Sequence, residues 1–455
     1  CGMSNYSSKS ESICAISSPP GIGGVSLIRI SGAESFSIVE KIFSKPLKDT
    51  NGYQALYGKI IEKKQIIDDV IVTIFKNPHS FTGENTVEIN CHGSTFIQQK
   101  IIELLINNGA KLALPGEFSK RAFLNGKLDL SQTEAIADLI SSKSSAAHEI
   151  AIKQLKGGIS SELKTLRNKL IEFASLIELE LDFSEEDVEF ADRKHLNELI
   201  QNLIAHVDQL KKSFQYGNAI KNGVSTVIAG RPNAGKSTLL NNILNENRAI
   251  VSSIAGTTRD TIEEIITING IDFRLVDTAG IRNTEDEVEK IGVAKTLEKI
   301  NQSSLVIYIY DSLLTTHKEV NEDLSKYIEN IVPCLVIANK IDLVKSSKEI
   351  PKDHITASLK NSPKTAEIKN SIFELFERNN VHNESVIISN MRHFEALELA
   401  YNELIKVEKG LSENIPGDLI AMDIRQVLYY IGTITGDISS DELLGNIFAN
   451  FCIGK

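Results

Sequence analysis

Apolar and β-branched residues gather in four short runs near the start of the chain, at 13–17, 25–30, 70–75 and 87–91, separated by turn residues such as Pro19-Pro20-Gly21 and Thr82-Gly83. That pattern predicts strands. A helical period over 96–107 follows the turn Cys91-His92-Gly93, so residues 3–124 read as an α+β domain. After Asn125-Gly126 the helical period takes over and holds, with breaks, to about Tyr216. Ser131-Gln132-Thr133-Glu134 fits a capping box at its start, and Gly157-Gly158 and the acidic loop 182–189 are the breaks. Between 219 and 380 strand-like and helical runs alternate, and from Asn390 the chain returns to helix. A second capping box, Ser439-Ser440-Asp441-Glu442, precedes a segment whose Leu444, Ile447, Phe448 and Phe451 share one apolar face. The simplest topology inserts an α/β domain (219–380) into an all-α helical domain whose halves, 125–218 and 381–455, close on each other.

Length supports that division, since 455 residues exceed one ordinary core and suggest roughly three domains. No apolar stretch approaches the ~20 residues of a membrane span, and no basic-then-apolar leader opens the chain. Five scattered cysteines without a CxxC argue against a disulfide framework or a zinc site. A cytoplasmic protein without membrane attachment is therefore expected. A net charge of −11 predicts poor nonspecific affinity for nucleic acid, so any such substrate must be held by a local patch or by a partner.

The chemistry is concentrated in the α/β segment. Gly230-Arg231-Pro232-Asn233-Ala234-Gly235-Lys236-Ser237 fits the G-x-x-x-x-G-K-[ST] phosphate loop, with an apolar run (224–229) before it and a helix-forming run, from Ser237 and Thr238 onward, after it. Its glycines let backbone N–H groups converge on phosphate oxygens, Lys236 adds charge, and the Ser237 hydroxyl can ligate Mg²⁺. Asp277-Thr278-Ala279-Gly280 closes the strand run 271–276; its Asp would hold Mg²⁺ through water and the Gly280 N–H would meet the γ-phosphate. Asn339-Lys340-Ile341-Asp342 ends the run 334–338. The Asp342 carboxylate can accept from the N1–H and 2-amino group of guanine, a donor pair that adenine lacks. Thr356-Ala357-Ser358 would supply the last base-contacting loop. In this order the four elements predict a P-loop GTPase that binds GTP and GDP.

Ras-type GTPases orient the attacking water with a Gln directly after D-x-x-G, and here that position is Ile281. Another group must position water, and another charge must stabilise the transition state. Asn233 in the phosphate loop and the carbonyls of Ser252-Ser253-Ile254-Ala255-Gly256-Thr257-Thr258 could hold a K⁺ ion in the role of an arginine finger, an effect on the order of 10³–10⁵ in rate. A plain polar loop residue explains Asn233 equally well. Thr258 is then the second Mg²⁺ ligand. The second switch carries Glu285, Asp286, Glu287 and Glu289, and patterning does not choose among these four acids.

The motifs just described, with Gly256–Asp260, Asp277–Arg282, Asp286–Glu289, Pro115-Gly116-Glu117-Phe118 through Leu128-Asp129-Leu130, and the terminal Phe451-Cys452-Ile453-Gly454-Lys455, closely resemble the family of tRNA modification GTPases named MnmE, or TrmE. The GTPase motifs alone are shared with ribosome-assembly GTPases such as Era and EngA, whereas the Cys-Ile-Gly-Lys tail and the Pro-Gly-Glu-Phe segment are far more specific. The resemblance implies a homodimer with an amino-terminal tetrahydrofolate-binding domain, a helical domain and the inserted GTPase domain. It implies K⁺ ligands at Asn233, Ser252, Ile254 and Thr257, a water-orienting role for Glu289 and a catalytic role for Arg282, and it favours a catalytic Cys452, where a structural contact or an inert terminal thiol is the alternative. It further implies that the GTPase acts with the flavoprotein MnmG (GidA) at C5 of the wobble uridine of certain tRNAs. The one-carbon unit would come from a 5-formyl or 5,10-methylene tetrahydrofolate held by Arg29, Glu88, Lys127 and Lys455. The residues themselves agree in part, because charges such as Arg29 and Glu88 in short strands need partners when buried. The alternatives are an assembly GTPase without modification chemistry and a membrane signalling switch. The first lacks a basic RNA module and the second a lipidation motif.

Overall fold

Alternate residues of the strand Gln65–Phe75 turn inward, so that Asp68, Val70, Val72 and Ile74 are buried between exposed or half-buried neighbours. The computed structural model describes residues 11–47, 52–182, 193–247, 263–277, 298–327, 332–344, 350–379, 386–413, 415–449, 451, 452 and 454. Six strands form the first sheet: β1 (Ile13–Ile16), β2 (Gly23–Ser31), β3 (Gln54–Glu62), β4 (Gln65–Phe75), β5 (Thr86–Gly93) and β6 (Lys111–Leu112). Their order is β3-β4-β5-β2-β1-β6, antiparallel throughout except for the parallel pair β1 and β6. Helices Ser35–Glu40 and Thr95–Asn107 contribute Ile38, Val39, Ile101 and Leu105 to a core with Ile28, Ile30, Ile74 and Ile89. The strand β3 was not expected from the pattern. It is an edge strand, and Gly58 interrupts its apolar alternation where the Phe43 ring packs against the backbone.

The tail is anchored on this part of the molecule. Leu444 and Phe448 of helix Asp441–Ala449 bury against Leu130, with Phe123, Ile447 and Phe451 packed around them. Beyond that helix the Gly116 N–H donates to the Cys452 carbonyl at 3.4 Å, and the Ser17 hydroxyl donates to the Gly454 carbonyl at 3.0 Å.

Both expected capping boxes are displaced. Helix Leu130–Ser141 starts before Ser131, and its capping box is Asp129 with Gln132. The Gln132 N–H donates to Asp129 Oδ1 at 2.9 Å, and the Asp129 N–H donates to Gln132 Oε1 at 3.0 Å. Ser131, already inside the helix, instead bonds Asp129 Oδ1 and Ser160 Oγ. At the last helix Ser440 rather than Ser439 caps, accepting from the Leu443 N–H at 3.2 Å. Two candidate caps lie within two residues of each other in each case, and the packing of Leu130 and Leu444 selects the register.

The second sheet is built from β7 (Val224–Ala229), β8 (Glu263–Ile268), β9 (Ile271–Asp277), β10 (Leu305–Asp311), β11 (Cys334–Asn339) and β12 (Ile355–Thr356), in the order β12-β11-β10-β7-β9-β8. All neighbours are parallel except the hairpin partners β8 and β9. All seven residues of β10 are buried, as a central parallel strand covered on both faces requires. Leu239 and Ile243 of helix Lys236–Asn247 and Ile368, Ile372 and Phe376 of helix Thr365–Asn379 cover one face, and Val320 of helix His317–Tyr327 packs on the other.

This α/β domain is an insertion between two helices that pack on each other. Helix Arg193–Asn222 leads into β7, and helix Met391–Ser412, capped by Asn390, returns along it. Phe214 stacks on Phe394 at 4.5 Å, and the Ile388 N–H donates to Ser213 Oγ at 3.0 Å. The chain divides into two compact units, Cys1–Ile140 with Gln154–Glu172 and Leu428–Lys455, and Ser141–Lys153 with Phe173–Val427. Phe448→Ala is expected to remove about 3–5 kcal/mol of packing from the docked tail. Hydrogen exchange should show protection lost over helix Asp441–Ala449 while the β7–β12 sheet stays protected.

Candidate functional site

The strand β7 ends at Ala229 in the middle of its sheet, with β10 on one side and β9 on the other, so the loop that follows opens at the crevice where strand order reverses. Three residues of that loop, Gly230 (φ 144°), Asn233 (φ 61°) and Gly235 (φ 112°), have positive φ. A Cβ on Gly230 would strike the Ile309 carbonyl oxygen, and one on Gly235 would strike Asn339 Nδ2. Only glycine satisfies both the torsion and the space at these two positions. Helix Lys236–Asn247 starts directly after, placing its N-terminal N–H groups and the exposed Ser237 and Thr238 at the loop. Lys236 Nζ bonds the carbonyls of Gly230 at 2.7 Å and Arg231 at 3.0 Å, so the ammonium is held over the loop. The Asn233 side chain is exposed.

The residue that ties the site together is Asn339. Its Nδ2 donates to the Ala234 carbonyl at 2.7 Å, while its Oδ1 accepts from the N–H groups of Lys340 at 2.8 Å and Leu359 at 3.0 Å. One buried amide thus joins the phosphate loop, the loop after β11 and the loop after β12. Lys340 takes a left-handed conformation (φ 63°), and its Nζ bonds Asp311 Oδ2 at 2.6 Å at the end of β10. Asp342 stays exposed. The Ser358 hydroxyl beside it, Asn361 Nδ2 at 2.8 Å and Lys360 hold its carboxyl below the usual carboxylate range. Ser358 Oγ is buried and, apart from its approach to Asp342, has no hydrogen-bond partner among the described residues. Thr356 ends β12, and the Ala357 N–H donates to the Ala338 carbonyl at 2.9 Å. A glycine-lined loop at a helix N-terminus, a poised lysine and an ionised Asp beside a buried hydroxyl fit a guanine nucleotide.

Comparison with known proteins agrees. A model of the MnmE helical domain matches residues 130–452, and one for the N-terminus of the GTP-binding protein TrmE matches residues 12–127. The tRNA modification GTPase MnmE of Cytophaga hutchinsonii is 49% identical over 451 residues, 98% of each chain. That of Flavobacterium johnsoniae is 49% identical over 467 residues, covering 98% of this chain and 99% of its own. The chain belongs to the MnmE family. Similarity across the helical domain as well as the amino-terminal one sets it apart from ribosome-assembly GTPases that share the GTPase motifs alone.

The other residues expected to serve the chemistry are placed as follows. Arg29 and Glu88 face each other across β2 and β5, with Arg29 Nε and Nη2 donating to Glu88 Oε1 at 2.9 and 2.7 Å. The guanidinium lies 5.5 Å from the centroid of the Phe81 ring and 5.7 Å from that of Phe118. The two candidate charges are therefore partners, which explains how they stand half-buried in strands. Lys127 Nζ bonds the Pro78 carbonyl at 3.1 Å, and Cys452 is exposed. Asp277 ends β9, opposite Ile228 of β7. Ser252, Ser253, Ile254, Ala255, Gly256, Thr257, Thr258, Thr278, Ala279, Gly280, Arg282, Glu289 and Lys455 lie outside the described residues. Sequence reasoning missed Asp311 and the tether of Arg231 to Glu319 and Asp323. An uninterrupted apolar run ending in Asp, residues 305–311, was the available signal for the first. Asn339→Ala would leave three backbone groups without their side-chain partner, at about 1–3 kcal/mol for each one that stays buried and unpaired. It is expected to abolish GDP binding in an equilibrium titration, where Asp342→Ala would change only base selectivity and affinity.

Proposed function

We propose that this chain, a GTPase of the MnmE family, couples GTP hydrolysis to modification of tRNA at C5 of the wobble uridine, U34. The observation that carries the reading is the Asn339 junction. It joins a phosphate loop to two base-side loops in a chain whose relatives, over 98% of its length, bear the name tRNA modification GTPase. Asp342 selects guanine by accepting from its N1–H and 2-amino group. The phosphate-loop N–H groups and Lys236 receive the phosphates. Ser237 and Thr258 would hold Mg²⁺, with Asp277 reaching it through water, and the ion supplies charge neutralisation at the phosphate oxygens. Asn233, with Ser252, Ile254 and Thr257, would hold K⁺, which supplies the positive charge that other GTPases take from an arginine. The exposure of the Asn233 amide, at a left-handed position inside the loop, fits that use. Glu289 orients the attacking water, and Arg282 stands in the same switch segment.

The domain division follows: a tetrahydrofolate-binding and dimerisation domain at 3–124, the helical domain at 125–218 and 381–455, and the GTPase domain at 219–380. In the first of these, Arg29, Glu88 and Lys127, with Lys455 of the tail, would hold a 5-formyl or 5,10-methylene tetrahydrofolate, which supplies the one-carbon unit. Both Arg29 hydrogen bonds to Glu88 go to Oε1, and Oε2 accepts no hydrogen bond among the described residues, which suits the aminopyrimidine edge of a pterin. Cys452 stands exposed on a tail held by Gly116 and Ser17, a placement compatible with a part in the modification. Two copies of the chain would act with the flavoprotein MnmG on tRNA. Among the described residues no helix is long and apolar enough to cross a membrane.

Mass analysis of wobble uridines from cells lacking this protein is expected to show loss of the C5 substituent, and unchanged uridines would overturn the tRNA reading. Replacing K⁺ with Na⁺ should lower GTP turnover sharply while nucleotide affinity holds. Equal rates in the two salts would remove the cation from the mechanism.

A further inference from the structure

Arg231 occupies the second position of the phosphate loop, where a guanidinium could reach out to a bound phosphate or turn back on the protein. It turns back. Its Nε and Nη2 donate to Asp323 Oδ2 and Oδ1 at 2.7 and 3.3 Å, and its Nη1 donates to Glu319 Oε1 at 2.9 Å. Glu319 and Asp323 lie one turn apart on helix His317–Tyr327, so one fork spans both carboxylates.

The carboxylates are themselves held. Tyr308 of the central strand β10 donates its hydroxyl to Asp323 Oδ2 at 2.6 Å. Glu319 Oε2 accepts from the Thr316 N–H at 2.8 Å and the Thr316 hydroxyl at 2.7 Å, a capping box at the start of the helix. The Thr316 N–H, then its hydroxyl, then Arg231 bring the Glu319 carboxyl down to about 2, so it is ionised whenever the protein is folded near neutrality. Both carboxylates are therefore also held by groups other than the arginine.

What it anchors is a backbone that needs support. Gly230 and Asn233 flank Arg231-Pro232 with positive φ, and unusual torsions persist only where the surroundings over-determine them. The far end of the loop is held by Asn339 through the Ala234 carbonyl. The near end is held by Arg231.

We propose that Arg231 is a positioning residue for the nucleotide phosphates: clamped to Glu319 and Asp323, it keeps Gly230–Asn233 in the phosphate-receiving conformation before the nucleotide arrives. The inference rests on the GTP-binding reading above and adds to it a tether on which the affinity of the loop depends. Arg231 and Glu319 are each 39% exposed and Asp323 15%, so solvent screens the ion pairs and the effect is moderate.

The test is equilibrium binding of a fluorescent GDP analogue to the full-length chain, with thermal midpoints measured on the same nucleotide-free samples. Arg231→Ala is expected to weaken binding about 10-fold, the scale of a charge-assisted tether discounted for exposure. Arg231→Lys should fall between, because an ammonium reaches one carboxylate and lacks the fork. Arg231→Ala combined with Asp323→Asn should be no weaker than Arg231→Ala alone, since both act through one contact. Wild-type affinity in Arg231→Ala, with or without a lowered midpoint, would overturn the clamp, as would losses that add in the double variant. If Arg231→Ala does not fold, Tyr308→Phe and Arg231→Lys carry the same comparison: weakened binding supports the clamp and wild-type binding overturns it. Failure of the underlying reading is separate, because there the unaltered chain would not bind GDP or Lys236→Ala would bind it equally well.

Discussion

The nucleotide site depends on a single buried amide. Asn339 is the last residue of β11, and its side chain donates to the phosphate loop while accepting from the two loops that face the base. An amide is suited to this place because it carries donors and acceptors on one planar group without a charge to desolvate. Parallel strands bring the three loops to one edge of the sheet, and the hydrogen bonds then set their relative positions to within a bond length. A carboxylate at the same position would accept at both ends and repel the Ala234 carbonyl.

Around this junction the molecule adds further ties of the same kind. Lys340 is pinned to Asp311 at the end of β10, and Arg231 is pinned to Glu319 and Asp323 on the following helix. Each connects a loop to a buried strand or to a helix packed on it. Loops are the least stable parts of a fold, and those that hold ligands need their torsions set by rigid neighbours. The insertion topology supplies a firm base as well. The chain enters and leaves the α/β domain through two helices that stack Phe214 on Phe394, so both ends of the insertion are held by one interface.

Much of this was legible without coordinates because the phosphate loop, Asn339-Lys340-Ile341-Asp342 and the closing strand runs are local patterns whose chemistry depends on spacing. The strands β7, β9 and β11 begin where their apolar runs begin, and Leu444 and Phe448 lie on the face expected of them. Local pattern failed where several nearby residues could play one part. Asp129, two residues before Ser131, caps helix Leu130–Ser141, and Ser440 rather than Ser439 caps the last helix. It failed too at β3, whose edge position and Gly58 leave little periodicity.

The sequence by itself determined the class of the ligand, since glycines, a lysine and an acid at set intervals can serve a guanine nucleotide wherever the strands lie. It also determined the family, through the motifs at 115–130 and 451–455. Only the tertiary structure decided that Arg29 and Glu88 are partners, that Arg231 is tethered rather than open to the ligand, and that Asn339 rather than a residue of the phosphate loop is the junction. Those pairs are separated by 59, 88 and 105 positions along the chain. A hydrogen bond specifies direction and distance in space and leaves no period in sequence, so contacts of this kind become readable only once the sheets have set their register.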